Sequence, residues 1–315
     1  MEKRAIFLSV VLLIAVSSSV WGVDAYFLST TGAKWSVPAN WTAVPHDAAI
    51  VHIGSPPTSP SGAWATLDSA EPNVQTLSIG DASGSGRLDV LAGAKLEILQ
   101  AWRTAIGAGS VATVNVNGGI INDGASMADP NGREGAPPSQ WAVDGVMNYN
   151  QTGGFVYSKQ QRLAVNTGSA VNIKINGGTL NMCGIQAAEL DPNFDPRPVN
   201  GQLNIDIDGE GYVLLKRIDS TTSPFNTRVT INGNGKLALI GDWRSNASVG
   251  GRITTRGTLR TKYGTYAWPP SNTWKETLIF TECTTASLLN GDLNSDCRVD
   301  MRDFAKFAQN WMLGI

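Results

Sequence analysis

Charge is scarce in this sequence: Asp, Glu, Lys and Arg make up 16% of its 315 residues, 24 of them basic and 26 acidic. A near-neutral chain has no electrostatic footprint for nucleic acid, and at 42% hydrophobic residues it is not composed like a disordered one. Histidine is scarcer still. His46 and His52 are the only two, which leaves few imidazoles for acid–base chemistry or metal binding. Three cysteines are too few for a disulfide framework. Beyond the N-terminus no apolar run approaches the roughly 18 residues that span a bilayer, and no P-loop, HExxH, GxSxG or paired CxxC occurs. What is plentiful is glycine, 34 residues, which suits many strands joined by tight turns.

Lys3 and Arg4 precede an apolar run over residues 5–16, which Ser17 to Ser19 then break. Val23-Asp24-Ala25 fits a small-x-small cleavage site before Tyr26, so residues 1–25 read as a secretory signal. For a membrane anchor, the alternative, the run is short. Its removal takes Glu2, Lys3, Arg4 and Asp24 and leaves 22 basic against 24 acidic residues. The expectation is a secreted protein, extracellular or on the cell surface, where disulfides persist.

Between residues 88 and 240 one phrase keeps returning: an alternating apolar and polar run, a glycine or glycine pair, and a second alternating run. LDVLAGAKLEI (88–98), VNVNGGII (114–121), YNQTGGFVY (149–157), VNIKINGGTLNM (171–182), LNIDIDGEGYVLL (203–215) and VTINGNGKLAL (229–239) are the copies. Period-two alternation marks strands with one buried face, and glycine lets the chain turn between them. The first glycines stand at 93, 118, 153, 177, 209 and 233, giving steps of 25, 35, 24, 32 and 24. A base step near 24 with two enlarged ones is the signature of stacked coils with loop insertions. A β-sandwich would also supply short strands and glycine turns, but not that period. The fold class is therefore all-β, a parallel β-helix or solenoid.

These phrases, with IGDASGSGRLDVLAGAKLEI and AIGAGSVATVNVNGG, resemble secreted bacterial β-solenoids of the pectin-lyase-like or autotransporter-passenger-like type. KWSVPANWTAVPHDAAIVHIG (34–54) is similar to the opening of many such proteins. The resemblance spans about residues 34–240 and implies a right-handed parallel solenoid. Residues 26–80 are expected to cap it, with Trp35, Trp41 and Trp64 as cap residues, 81–240 to form the coils, and 241–286 to close it. Glycosylation-type triplets begin at Asn40, Asn150 and Asn246; in a chain of bacterial appearance they are chance matches.

The sharpest motif is DLNSDCRVDMRD at 292–303. As a twelve-residue loop it puts Asp292 at position 1, Asn294 at 3, Asp296 at 5, Arg298 at 7, Asp300 at 9 and Asp303 at 12. Calcium takes six to eight oxygens, and this spacing folds side-chain oxygens around one centre together with the carbonyl of residue 7. Phe304, Phe307, Ala308 and Trp311 then mark a helix with an apolar stripe. GDLNSDCRVDMRDFAKFAQNW resembles half of a type I dockerin, which implies calcium as cofactor and a cohesin-like or cell-surface partner. It departs from that pattern in having one repeat, Cys297 at position 6, and Met301-Arg302 where a Ser-Thr pair is typical.

Two function classes stay open. One is a non-catalytic solenoid that binds glycan or a surface component, residues 287–315 serving as its attachment module. The other is a polysaccharide lyase or glycoside hydrolase on the same scaffold, dockerin-like tails being associated with such enzymes. An enzyme needs convergent acid and base groups on adjacent coils. Asp206 and Asp208 are candidates, though a solvated outer face accounts for them more simply. Trp268 and Trp274 are weaker sugar-stacking candidates, which cap and loop packing explains more simply. The two enlarged steps fall within 125–141 and 187–201. If both loops leave at one corner, Arg133, Glu134 and Trp141 face Asp191, Asp195 and Arg197, with Lys159 and Arg162 on the coil between. The expected polysaccharide contacts are Trp141, Arg162, Asp191, Asp195 and Arg197.

Cys183 reads as a lone buried thiol, and Cys283 with Cys297 as a disulfide tying the calcium loop to the solenoid. Closing that loop stabilises by about 3 kcal/mol at best. Intact-mass measurement without reductant is expected to show two hydrogens lost; three alkylated thiols would reject the pairing.

Overall fold

The computed structural model describes residues 23–46, 49–71, 73–123, 139–158, 161–182, 201–215, 226–265, 275–282, 293, 299 and 301–313. The chain winds as a parallel β-solenoid with three faces, A, B and C, followed by one short helix. Face A begins with Asp24–Tyr26 on Ile50–Ile53 and runs to Gln161–Leu163 on Ser139–Trp141. Face B is the longest, from Ala33–Lys34 to Ile253–Thr255. Face C runs from Lys95 to Lys236–Ile240.

The period expected from glycine spacing is the pairing register. Along face B the partners Leu88, Val114, Tyr149, Ile173, Ile205, Val229 and Ile253 follow one another at 26, 35, 24, 32, 24 and 24 residues. Alternation does the sorting. In Ala63–Leu67 and Ala170–Ile175 every second side chain is buried and the others face out. The inward residues form one apolar column through the stack, including Leu88, Val114, Ile173 and Ile205.

Two corners repeat from coil to coil. Between faces B and C stand Gly93, Gly118, Gly154, Gly178, Gly209 and Gly233, all with positive φ. A Cβ on Gly178 would lie 2.5 Å from the carbonyl oxygen of Gly154, so both the conformation and the stacking call for glycine there. Between faces A and B the left-handed position is Gly54, then Gly80, Ala105, Ala142 and Ala164, with φ of 75°, 69°, 48°, 57° and 47°. This corner is linked by N–H donation from Gly80 to Ile53, Ala105 to Ile79, Ala142 to Thr104 and Ala164 to Trp141 carbonyls.

Residues 26–80, expected as a cap, carry strands standing in the same face A and face B ladders, so the coils start at Asp24. Trp35 and Trp41 seal the first coil from inside, edge to face at 4.7 Å, with the Trp41 indole N–H donating to the Trp35 carbonyl. At the far end Ile253–Thr255 holds one more place on face B. Lys275–Glu282 then lies antiparallel on Lys236–Ile240, with Thr258–Thr265 antiparallel beyond it. No helix among the described residues is long and apolar enough to cross a membrane.

The alanine corner gives a contrast to test. Ala142→Gly fits the left-handed conformation and is expected to change unfolding free energy by no more than about 1 kcal/mol. Ala142→Val puts a β-branched residue at φ 57° in a packed interior and is expected to cost about 2 kcal/mol or more. Urea unfolding checks both; equal costs would refute the corner.

Candidate functional site

The outer side of face B carries a continuous run of polar side chains. Because strand partners stack one above another at about 4.8 Å, outward side chains line up in two columns. One holds Thr113, Asn148, Asn172, Asn204 and Arg228; the other holds Asp89, Asn115, Asn150, Lys174, Asp206 and Thr230. The amides are chained. Asn172 donates to Asn148 at 3.1 Å and Asn204 to Asn172 at 3.0 Å, while Asn150 donates to Asn115 at 2.9 Å and Asn115 to Asp89 at 2.6 Å. Each partly exposed amide thus keeps hydrogen-bonding capacity for a ligand while its orientation is fixed by its neighbour.

At the first coils the strip ends in a fixed cluster. Arg87 stacks its guanidinium 3.9 Å from the Trp64 ring centre and grips Asp89 through two N–H bonds at 2.9 and 2.8 Å. The Trp64 indole donates to the same carboxylate at 2.8 Å. Gly32 also lies against the Trp64 ring, where a Cβ would come within 2.8 Å. With the Arg87 guanidinium on its ring and its indole N–H engaged, Trp64 is held by the scaffold.

Trp141 requires a correction. It was expected at the surface as an aromatic platform, but it is fully buried in the core, edge to face with Trp102 at 4.8 Å and stacked on Tyr149 at 5.4 Å. It occupies the inward position of face A, in register with Leu163, so proximity to a long loop misled the reading. Arg162 is placed by its backbone beside Gln140 on face A. Arg133, Glu134, Lys159, Asp191, Asp195, Arg197, Trp268 and Trp274 lie outside the described residues. Both long insertions do follow face C: residues 124–138 come after Asp123, and 183–200 after Met182.

Of the expected calcium-ligand positions only Asp303 is described, together with Leu293 just after position 1. Asp303 is buried and accepts the Leu293 N–H at 2.8 Å, which joins the two ends of this segment. Asp292, Asn294, Asp296, Arg298, Asp300 and all three cysteines, Cys183, Cys283 and Cys297, lie outside the described residues. Helix α1 (Met301–Leu313) begins beside Asp303 and leaves Phe304, Phe307 and Trp311 exposed, their rings 6.4 and 5.8 Å apart in sequence.

Two titratable groups escaped the sequence reading of chemistry. His52 stacks on Tyr26 at 4.5 Å and stands between Asp24 at 3.3 Å and Asp81 at 3.4 Å. Its contact with Asp81 is at ion-pair distance but angularly poor for a hydrogen bond; the ring and then the Ser78 hydroxyl still hold the Asp81 carboxyl below its usual range. Asp123, at the corner preceding the first insertion, is buried and accepts hydroxyl protons from Ser158 at 2.5 Å and Ser139 at 2.9 Å. Burial outweighs these bonds and pushes its carboxyl up to about 7. Nothing in the local sequence signals this, since IIND reads as an ordinary strand end.

No protein-family model, curated protein or solved structure matches the chain.

The Asp123 carboxyl makes stability pH-dependent. With a folded pKa of about 7 against an ordinary 3.8, the native protein keeps a proton that the unfolded chain gives up. Its contribution is complete in acid and declines as pH rises through 7. Asp123→Asn keeps the shape and removes the titration, so the difference in urea midpoint between wild type and variant is expected to change between about pH 5 and pH 8 in the variant's favour. A constant difference would contradict this.

Proposed function

We propose that the protein is an extracellular, non-catalytic β-solenoid that binds polysaccharide, with residues 287–315 as a calcium-ordered attachment module. The observation that carries the binding reading is the outer strip of face B. Its amide, hydroxyl and charged side chains recur at the coil spacing along a straight line from Asp89 to Thr230, a surface suited to a linear polymer bearing many hydroxyls. Side-chain amides both donate and accept, and chained ones cost little further ordering on binding. The attachment reading rests on the exposed Phe304, Phe307 and Trp311 strip and on Asp303 closing the loop. There calcium would be held by side-chain oxygens of Asp292, Asn294, Asp296, Asp300 and Asp303 and the Arg298 carbonyl, and would neutralise carboxylates that otherwise repel. The partner class is cohesin-like or another cell-surface protein.

The enzyme reading is favoured by one feature, that Asp206 and Asp208 line a common groove. Asp208 is engaged by the backbone N–H of Gly209, so it serves the corner as well.

A glycan array run beside a turnover assay separates the readings. Retention of a linear polysaccharide without new reducing ends or unsaturated products is expected, and Asn172→Ala with Asn204→Ala should weaken it about tenfold. Product release would establish the enzyme instead; no retention would refute glycan binding. Calorimetry with calcium should show binding at roughly 0.1–1 mM or tighter, lost in Asp292→Ala; no heat in the wild type would remove the calcium module.

A further inference from the structure

We propose that the groove between face B and helix α1 binds an anionic polysaccharide. This rests on the glycan-binding reading above and narrows it to one ligand class and one place. The groove has a volume of about 840 Å³, within the range of pockets that hold small ligands or short oligomers. Its floor is the end of the face B column, where Lys174, Asp206 and Thr230 stand in register on three successive coils. Asp208 and Arg256 complete the solenoid side, and Ala305, Lys306 and Gln309 of α1 form the opposite wall.

The charges decide the ligand. Lys174 and Lys306 are both exposed to the groove, one from the sheet and one from the helix. Ion pairs among the described residues belong to other cations, such as Lys34, Arg87, Lys95, Arg244 and Arg260. Asp206 neighbours Lys174 in the column without pairing with it. Three cationic side chains, Lys174, Arg256 and Lys306, thus line the groove against two carboxylates, Asp206 and Asp208, a local surplus of positive charge in a near-neutral chain. Ammonium donates to carboxylate or sulfate as a charge-assisted bond. Asp206 accepts from hydroxyls, and Thr230 and Gln309 offer both donors and acceptors. A ligand that satisfies all of these carries an acid group among several hydroxyls in each unit. A neutral glycan would leave both ammoniums unused, and a nucleic acid would bring a denser negative charge against two carboxylates.

Calorimetry on the full mature chain, at constant calcium, would compare polygalacturonate, dextran sulfate and neutral dextran. Binding is expected for the carboxylated or the sulfated chain, the better of the two identifying the acid group, and it should weaken as salt is raised. Lys174→Ala with Lys306→Ala should weaken it by about tenfold or more and leave the thermal midpoint unchanged. An unaltered affinity in the double variant would take the site away from this groove while leaving glycan binding intact. Equal, salt-insensitive binding of neutral dextran would overturn the anionic class alone. Failure of all three polymers and of every glycan on an array would overturn the parent reading with it.

Discussion

Among the described residues the strands inside the solenoid take their hydrogen-bond partners from the coil before and the coil after, and that arrangement constrains all else. In a parallel stack with one-to-one register, a residue in one coil dictates the backbone conformation of its counterparts. That is why Ala105, Ala142 and Ala164 all take a left-handed conformation where Gly54 and Gly80 take it in earlier coils. The strain of an alanine there is accepted because its N–H and carbonyl are claimed by the neighbouring coils. Extra chain enters after face C, where both long insertions follow its strands in sequence. The Trp102, Trp141 and Tyr149 rings fill the interior on the two coils that flank the first of them.

The same register produces the outer surface. A residue type repeated in the sequence at the coil period becomes a straight row in space, so asparagines at 148, 172 and 204 become one chain of amides. Such a row is ordered before any ligand arrives, because each amide is already oriented by the one beneath. Inward, the rule works on polarity: Gln151, among the few buried polar side chains of face B, accepts from the Tyr149 hydroxyl and donates to the Gly153, Gly154 and Thr179 carbonyls. It fastens the corner between faces B and C from within.

Much of the architecture was legible because glycine marks one corner. Gly93, Gly118, Gly177, Gly209 and their kin occur at the coil period, and alternation assigns the inward residues. The second corner was hidden, because alanine carries no conformational signal and only the neighbouring coils force its φ positive. Tryptophans were the least legible residues. Trp141 occurs in a loop-like context beside SQ, yet its place in the face A register turns it inward, while Trp64 lies outward but is covered by Arg87. The calcium spacing and the helix stripe could be read directly, since both are local patterns. The pairing of Lys174 with Lys306 could not, for those residues are 132 positions apart and meet only through the placement of α1.

The hairpin of Thr258–Thr265 and Lys275–Glu282 has a consequence beyond closing face C. A stack of near-identical coils is a linear lattice, and its last open strand is an ideal template for the first strand of another copy. The hairpin covers the open edge of Lys236–Ile240 with two antiparallel strands, and exposed Arg260 and Lys262 put charge on the outermost one. The parallel ladder of face C therefore ends on a charged edge and not on an open coil, the device by which a repeating stack discourages its own continuation.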